Sequence, residues 1–384
     1  MKYAVIIMDG AADLPIESLN GMTPLAAARI GRTDALAAAG RCGAVQTVPA
    51  DFHPGSDVAI MSLVGYDPAE NYTGRAPLEA AAMGIETGPD EWIFRCNLVT
   101  TEDGRMLDHS GGNISNESAR RIVRRLDEEL GGEGIRFYPG VSYRNILVLK
   151  ADLDVQTTPP HDILDKPFSA YLPTGRGSEV LKDLIERSAP LVAEDPHGRA
   201  TRIWLWGQGK PGELEPFARR FGPRGAVITA VDLVRGIGRL VGFDVLDVPG
   251  ATGYYDTDYA AKGRRAIEAL QRYDLVLVHV EASDEAGHEG NVEEKVAALE
   301  RIDEMIVGPI HDALAGGSDA WRMLVLPDHP TPCAVRTHTR EPVPYCMAGH
   351  GVSPDSCRTF TEKIVEASKR PPAAGHTLME MLTS

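Results

Sequence analysis

The stretch Asp274-Leu-Val-Leu-Val-His-Val-Glu-Ala-Ser-Asp-Glu-Ala-Gly-His288 constrains this chain more than any other, because it ties a covered strand to a pair of metal-type side chains. Residues 275–280 form an apolar, β-branched run of the length expected for a strand buried on both faces. Its carboxyl end delivers Asp284 and His288. Apolar Val292, Val296, Leu299, Ile302 and Ile306 follow at spacings of three and four, so a helix comes next and the two ligand candidates are expected in the strand-to-helix loop. Open α/β sheets bind their ligands at such carboxyl ends.

Two further stretches repeat the pattern. Tyr3-Ala-Val-Ile-Ile-Met-Asp9 is an apolar strand ending on a carboxylate before Gly10, and Arg322-Met-Leu-Val-Leu-Pro-Asp328-His329 ends on Asp and His together. One aspartate at a strand end is ordinarily a turn or cap residue. Three strand ends bearing Asp or His predict one crevice with oxygen and imidazole ligands for two divalent metals. His338, in a loop whose prolines Pro342 and Pro344 stop a helix, is a further ligand candidate. Ser56, in His53-Pro-Gly-Ser56-Asp57 ahead of the apolar helix Val58 to Val64, is either a plain N-cap or a nucleophile. As a nucleophile it needs a base or metal to take its proton.

At 384 residues the chain has room for two domains, and 43 % apolar with 24 % charged residues are ordinary globular values. The formal charge of −16 argues against nucleic-acid and acidic-membrane partners and requires a local Arg, Lys or metal cluster for any anionic substrate. Five cysteines without a C-x-x-C suggest neither a disulfide framework nor a zinc knuckle, and a reduced cytoplasm fits them. There is no basic-then-apolar leader and no apolar run near the ~20 residues of a membrane span. The motifs do not decide between a monomer and a homo-oligomer.

The metal-type strand ends stop near Gly88-Pro89 and resume after Pro249-Gly250. The chain therefore divides into a discontinuous metal-binding domain, 1–87 with 253–384, and an inserted domain, 88–252, with strands of its own that include Ala226 to Thr229. In the insert, Asp108-His109-Ser-Gly-Gly-Asn113 and Gly207-Gln208-Gly-Lys210 are loops able to hold an anion, and Arg144 is a candidate for a carboxylate or phosphate. Lys262, in a helix begun by Thr257, is another.

These motifs, with Gly55-Ser-Asp57, Leu63-Val-Gly-Tyr-Asp67-Pro68, Tyr72-Thr-Gly-Arg75, Phe94-Arg-Cys-Asn97, Trp206-Gly-Gln-Gly209 and Gly250-Ala-Thr-Gly253, resemble the alkaline phosphatase superfamily. Within it the chain is most similar to the cofactor-independent phosphoglycerate mutases of the archaeal type, over essentially its whole length. The resemblance implies an α/β fold with a mostly parallel, helix-flanked sheet and a smaller inserted α/β domain acting as a lid. It implies one metal on Asp284, His288 and His338, and a second on Asp9, Asp328, His329 and the Ser56 oxygen. Manganese is the metal it points to, with Zn²⁺, Co²⁺ or Mg²⁺ as alternatives. Lys262 resembles a lysine that neutralises phosphoryl oxygens, while Arg75, His109, Arg144 and Gln208 are the candidates to hold a phosphorylated substrate. The implied reaction exchanges 3- and 2-phosphoglycerate through a phosphoserine. Asn113 and Asn145 stand where histidines are expected, which keeps open a phosphatase or a mutase of another small phosphorylated metabolite.

Overall fold

Lys2–Met8 is buried on both faces and takes a parallel neighbour on each side, Leu275–Val280 and Trp321–Leu326. In this computed structural model, which describes residues 1–194, 199–368 and 370–384, these three strands are the middle of an eight-stranded sheet. Gly225–Ile228 and Asp244–Val245 extend it on one side, and Val343–Gly349, Arg41–Gln46 and Ala373–Ala374 on the other. Only Val343–Gly349 runs against its neighbours. The expected mostly parallel sheet is therefore present. Alternate residues Ala4, Ile6 and Met8 join one core with Leu299, Ile302 and Ile306 of the helical layer that follows the Leu275–Val280 strand.

The register fixes where the site lies. Met8 pairs with Val280 and Ile7 with Leu326, so Asp9, Glu281 and Pro327-Asp328 leave the sheet side by side. Asp284 and His288 are not in a loop, as expected, but on a short helix, Ala282–Glu289, ended by Gly290 in the left-handed region. Their separation of four residues puts both on one helical face. Eight mostly polar residues have too little apolar periodicity to announce a helix. Pro24–Ala27 and Gly31–Ala39 form two separate helices, because Ala28 is extended.

The chain folds as two compact units, Met1–Tyr72 with Leu214–Ser384, and Thr73–Glu213. The expected boundaries at 88 and 252 are corrected to 73 and 213. Gly225–Ile228, the strand assigned to the insert, hydrogen-bonds to Leu275–Val280 in the large sheet. Arg75–Ala82, assigned to the metal domain, buries Ala76 and Ala80 against Ile93, Ile146 and Val148 of the second unit. The second unit's five-stranded sheet is antiparallel throughout. On its strand Glu91–Glu102, Phe94, Cys96 and Leu98 enter the core under helices Asn116–Leu130 and Ser178–Ala193, leaving Arg95 and Asn97 for the opposite face.

Behind the site, Lys295 is wholly buried and donates from Nζ to Asp13 Oδ2 and to the Thr331 carbonyl, each at 2.8 Å. The pair pins the segment after Asp9 to the segment after His329. Removing one partner leaves an uncompensated buried charge. Lys295→Met is therefore expected to lower the unfolding free energy by about 3–5 kcal/mol in denaturant titrations. A loss under about 1 kcal/mol would contradict this account of the pair.

Candidate active site

All seven predicted metal ligands meet in the larger unit. His288 Nε2 is 3.2 Å from Asp284 Oδ2 and 3.0 Å from His338 Nε2, and His338 Nε2 is 3.5 Å from Asp284 Oδ1. The carbonyl of Arg336 lies 3.1 Å from His288 Nδ1, where it can accept that proton and leave Nε2 facing Asp284 and His338. Arg336 holds this carbonyl at φ +59°, a left-handed conformation that a non-glycine residue adopts at a cost. Next to this group, His329 Nε2 is 3.3 Å from Asp328 Oδ2 and 3.6 Å from Asp9 Oδ1. Asp328 is oriented by its other oxygen, which accepts from the backbone N–H groups of Gly10 and His329. At Gly10 a Cβ would lie 2.5 Å from Asp284 Oδ1, and φ is +61°, so both space and conformation require glycine there.

Ser56 is the first residue of the helix Ser56–Leu63, and Gly55 occupies the cap position. The Ser56 hydroxyl is therefore free of capping and stands 3.1 Å from His329 Nε2, among the ligands. The plain N-cap reading of this serine does not hold. Lys262, on the helix Tyr259–Leu270, is buried and donates to the His279 carbonyl at 3.3 Å. Burial pushes its pKa down to about 8, so it is still cationic at neutral pH.

The residues fit divalent metals. Both Asp9 oxygens, Asp328 Oδ2 and His279 Nε2 are buried without a hydrogen-bond partner, a cost that ion ligation removes. Burial, then repulsion from Asp328 and Asp284, holds the Asp9 carboxyl well above its usual range. Burial also works against Asp284, but contacts from His288 and His338 hold its carboxyl well below the usual range. The His288 imidazole is in turn pushed up to about 9, chiefly by Asp284. Mixed carboxylate and imidazole donors suit Mn²⁺, Zn²⁺ or Co²⁺.

The second unit gathers a cationic cluster of its own. Arg95 stacks 4.2 Å from the Trp206 ring and pairs with Glu79 at 2.9 Å. Burial lowers its pKa, Glu79 offsets this in part, and Arg75 and Arg144 add repulsion. His161 packs on Trp206 and on His109, and His109 on Tyr143, with ring centroids 5.3, 6.1 and 5.6 Å apart. Asn97 accepts from Trp206 Nε1 and donates to the His109 carbonyl, fixing both. Three guanidinium groups and two imidazoles thus lie together, with Glu79 paired to both Arg95 and Arg75 and Asp162 3.8 Å from His161.

A family model for 2,3-bisphosphoglycerate-independent phosphoglycerate mutase matches residues 37–197. The mutase of that name from Methanothrix thermoacetophila is 51 % identical over 371 residues, covering 94 % of each chain. The chain belongs to this family of isomerases. Among solved structures, a protein from Pyrococcus horikoshii shares the fold at TM-score 0.84 and 29 % identity, over 99 % of this chain and 96 % of that one. The cofactor-independent phosphoglycerate mutase from Thermoplasma acidophilum does so at TM-score 0.70 and 25 % identity, over 100 % and 99 %.

Within the family's pattern, four positions are clarified by the structure. The Gln208 amide accepts from Thr157 Oγ1 and donates to the Val155 carbonyl, which leaves it a second N–H. Asn145 is buried and its Oδ1 accepts from Gly140 N–H, so it holds the hairpin that precedes it. Asn113 takes a left-handed turn at φ +54° after Gly111 and Gly112. Both asparagines thus have local structural roles in this chain. Arg144 lies beside the cluster and is exposed. Arg144→Ala is expected to raise KM about 10- to 100-fold, the worth of a charge-assisted contact, without moving the melting temperature. Steady-state kinetics with KM within twofold of wild type would remove it from the site.

Three residues went unread in the sequence. His279 lies inside the apolar strand run, Arg95 sits in a strand quoted only for resemblance, and His161 follows two prolines that mark an ordinary loop. The alternation Ile93, Arg95, Asn97 against Phe94, Cys96, Leu98 was the available signal for Arg95.

Proposed function

We propose that the chain interconverts 3-phosphoglycerate and 2-phosphoglycerate through a phosphoserine at Ser56, at a centre that takes two divalent cations. Asp284, His288 and His338 hold one, and Asp9, Asp328, His329 and Ser56 the other, with Mn²⁺ the metal we assign. The observation that carries this reading is the Ser56 hydroxyl, uncapped and 3.1 Å from His329 amid the donor cluster. When bound, the cations supply Lewis-acid stabilisation of phosphoryl charge and make a hydroxyl more acidic.

Ser56 Oγ loses its proton and bonds to phosphorus as the bond from phosphorus to one glycerate oxygen breaks, and that leaving oxygen takes up a proton to become a hydroxyl. The reverse transfer to the other hydroxyl restores the serine. Lys262 offsets charge on the equatorial oxygens. Arg75, Arg95, Arg144, His109 and His161 bind the anionic groups of the substrate. The free cysteines fit a reducing, cytoplasmic setting.

A coupled enolase assay run beside a free-phosphate assay tests the assignment. Mutase action yields phosphoenolpyruvate from 3-phosphoglycerate with no stoichiometric phosphate. Phosphate release without phosphoenolpyruvate would instead establish a phosphatase.

A further inference from the structure

Among the described residues, His279 is the one buried imidazole beside the centre to which the seven-ligand scheme gives no role. It lies on the Leu275–Val280 strand with no exposed surface, and its Nε2 is 2.9 Å from Asp9 Oδ2. That approach is not a hydrogen bond, because both atoms are without a hydrogen-bond partner. Asp328 Oδ2, equally buried and unpartnered, belongs to the same group, in which one donor atom each from Asp9, His279 and Asp328 lies within 4.8 Å of the others. Two donors on one ion at about 2.1 Å and a right angle stand roughly 3.0 Å apart. The Asp9 to His279 spacing has that value.

The far side of the ring agrees. Thr229 Oγ1 lies 3.2 Å from His279 Nδ1. A proton on Nδ1 donated to that oxygen leaves the Nε2 lone pair facing the carboxylates, the arrangement by which a second partner sets a metal-binding histidine.

We propose that His279 Nε2 is a ligand of the buried cation held by Asp9 and Asp328, giving that ion two histidine nitrogens, from His279 and His329. The proposal rests on the two-cation reading above. It also assigns selectivity, since a second imidazole favours Mn²⁺, Co²⁺ or Zn²⁺ over the oxygen-seeking Mg²⁺.

The test uses the full chain with His288 and His338, both only partly buried, replaced as His288→Asn/His338→Asn, so that the buried position is the one left with imidazole ligands. The protein is loaded with one equivalent of Mn²⁺, and nitrogen couplings to the manganese are counted by pulsed electron paramagnetic resonance. Two coupled imidazole nitrogens are expected, falling to one when His279→Gln is added, with Mn²⁺ affinity at least tenfold weaker. One coupled nitrogen before that substitution, or two manganese ions with one nitrogen each, overturns the proposal. If wild-type protein binds no Mn²⁺ at all, the two-cation reading itself falls, and this inference with it. The count in the His288/His338 variant needs no change at His279, so it stands even if His279→Gln does not fold.

Discussion

Ser56→Ala is expected to lower mutase turnover by a factor on the order of 10⁴ or more, the scale on which an enzyme loses activity with its nucleophile. Incubation of the wild-type protein with substrate is expected to leave a phosphate-sized mass on the peptide containing Ser56, and the variant is expected to show none. The fold gives the test its clarity. Gly55, not Ser56, occupies the helix cap, so the hydroxyl contributes nothing to the helix end, and alanine at the first helical position is well tolerated. The variant's unfolding free energy should stay within about 0.5 kcal/mol of wild type. Lost activity in a folded protein then reports on chemistry. Substantial surviving turnover, or phosphate found on another residue, would remove Ser56 as the nucleophile and leave the hydroxyl as a metal ligand at most.

Most of the seven candidate ligands were legible because they belong to places where the chain must stop being a strand or start being a helix. Asp9 and Asp328-His329 end apolar runs, and such ends in a parallel sheet share one edge by construction. His279 was hidden by the same logic. It falls one residue before its strand ends, inside Leu-Val-Leu-Val-His-Val and opposite Ile7, and only the folded sheet shows that its ring turns toward Asp9. The unit boundary was misplaced for a related reason. Gly225–Ile228 is an unremarkable buried strand, and nothing local says which sheet it will join. Glycine and proline pairs at 88–89 and 249–250 mark turns within units rather than the seams between them. Arg95 and His161 depend on a cross-strand partner, Trp206, more than forty positions away, which no local pattern encodes.

Metal removal should reveal how the buried charges are balanced. Each ion present at about a thousand times its Kd stabilises the native state by about 4 kcal/mol, so stripping the protein with a chelator is expected to lower its melting temperature by on the order of 10 °C, with loss of turnover. The deficit should depend on pH in a definite direction. In the metal-free protein burial pushes Glu281 up to about 8 from an ordinary 4.5, and Asp284 raises His288 to about 9 from 6.5. Between pH 6.5 and 9 these two groups therefore hold more protons in the folded chain than in the unfolded one, and the stability they contribute falls as pH rises. The contribution of His288 is complete below 6.5 and gone above 9. Cation binding reverses the trend, because ligands must shed those protons and affinity climbs with pH. Melting curves recorded across this range should thus show the gap between Mn²⁺-loaded and stripped protein widening with pH, and closing on Mn²⁺ add-back. A gap that stays constant, or one that narrows toward pH 9, would mean that the acidic cluster is not where the cations bind.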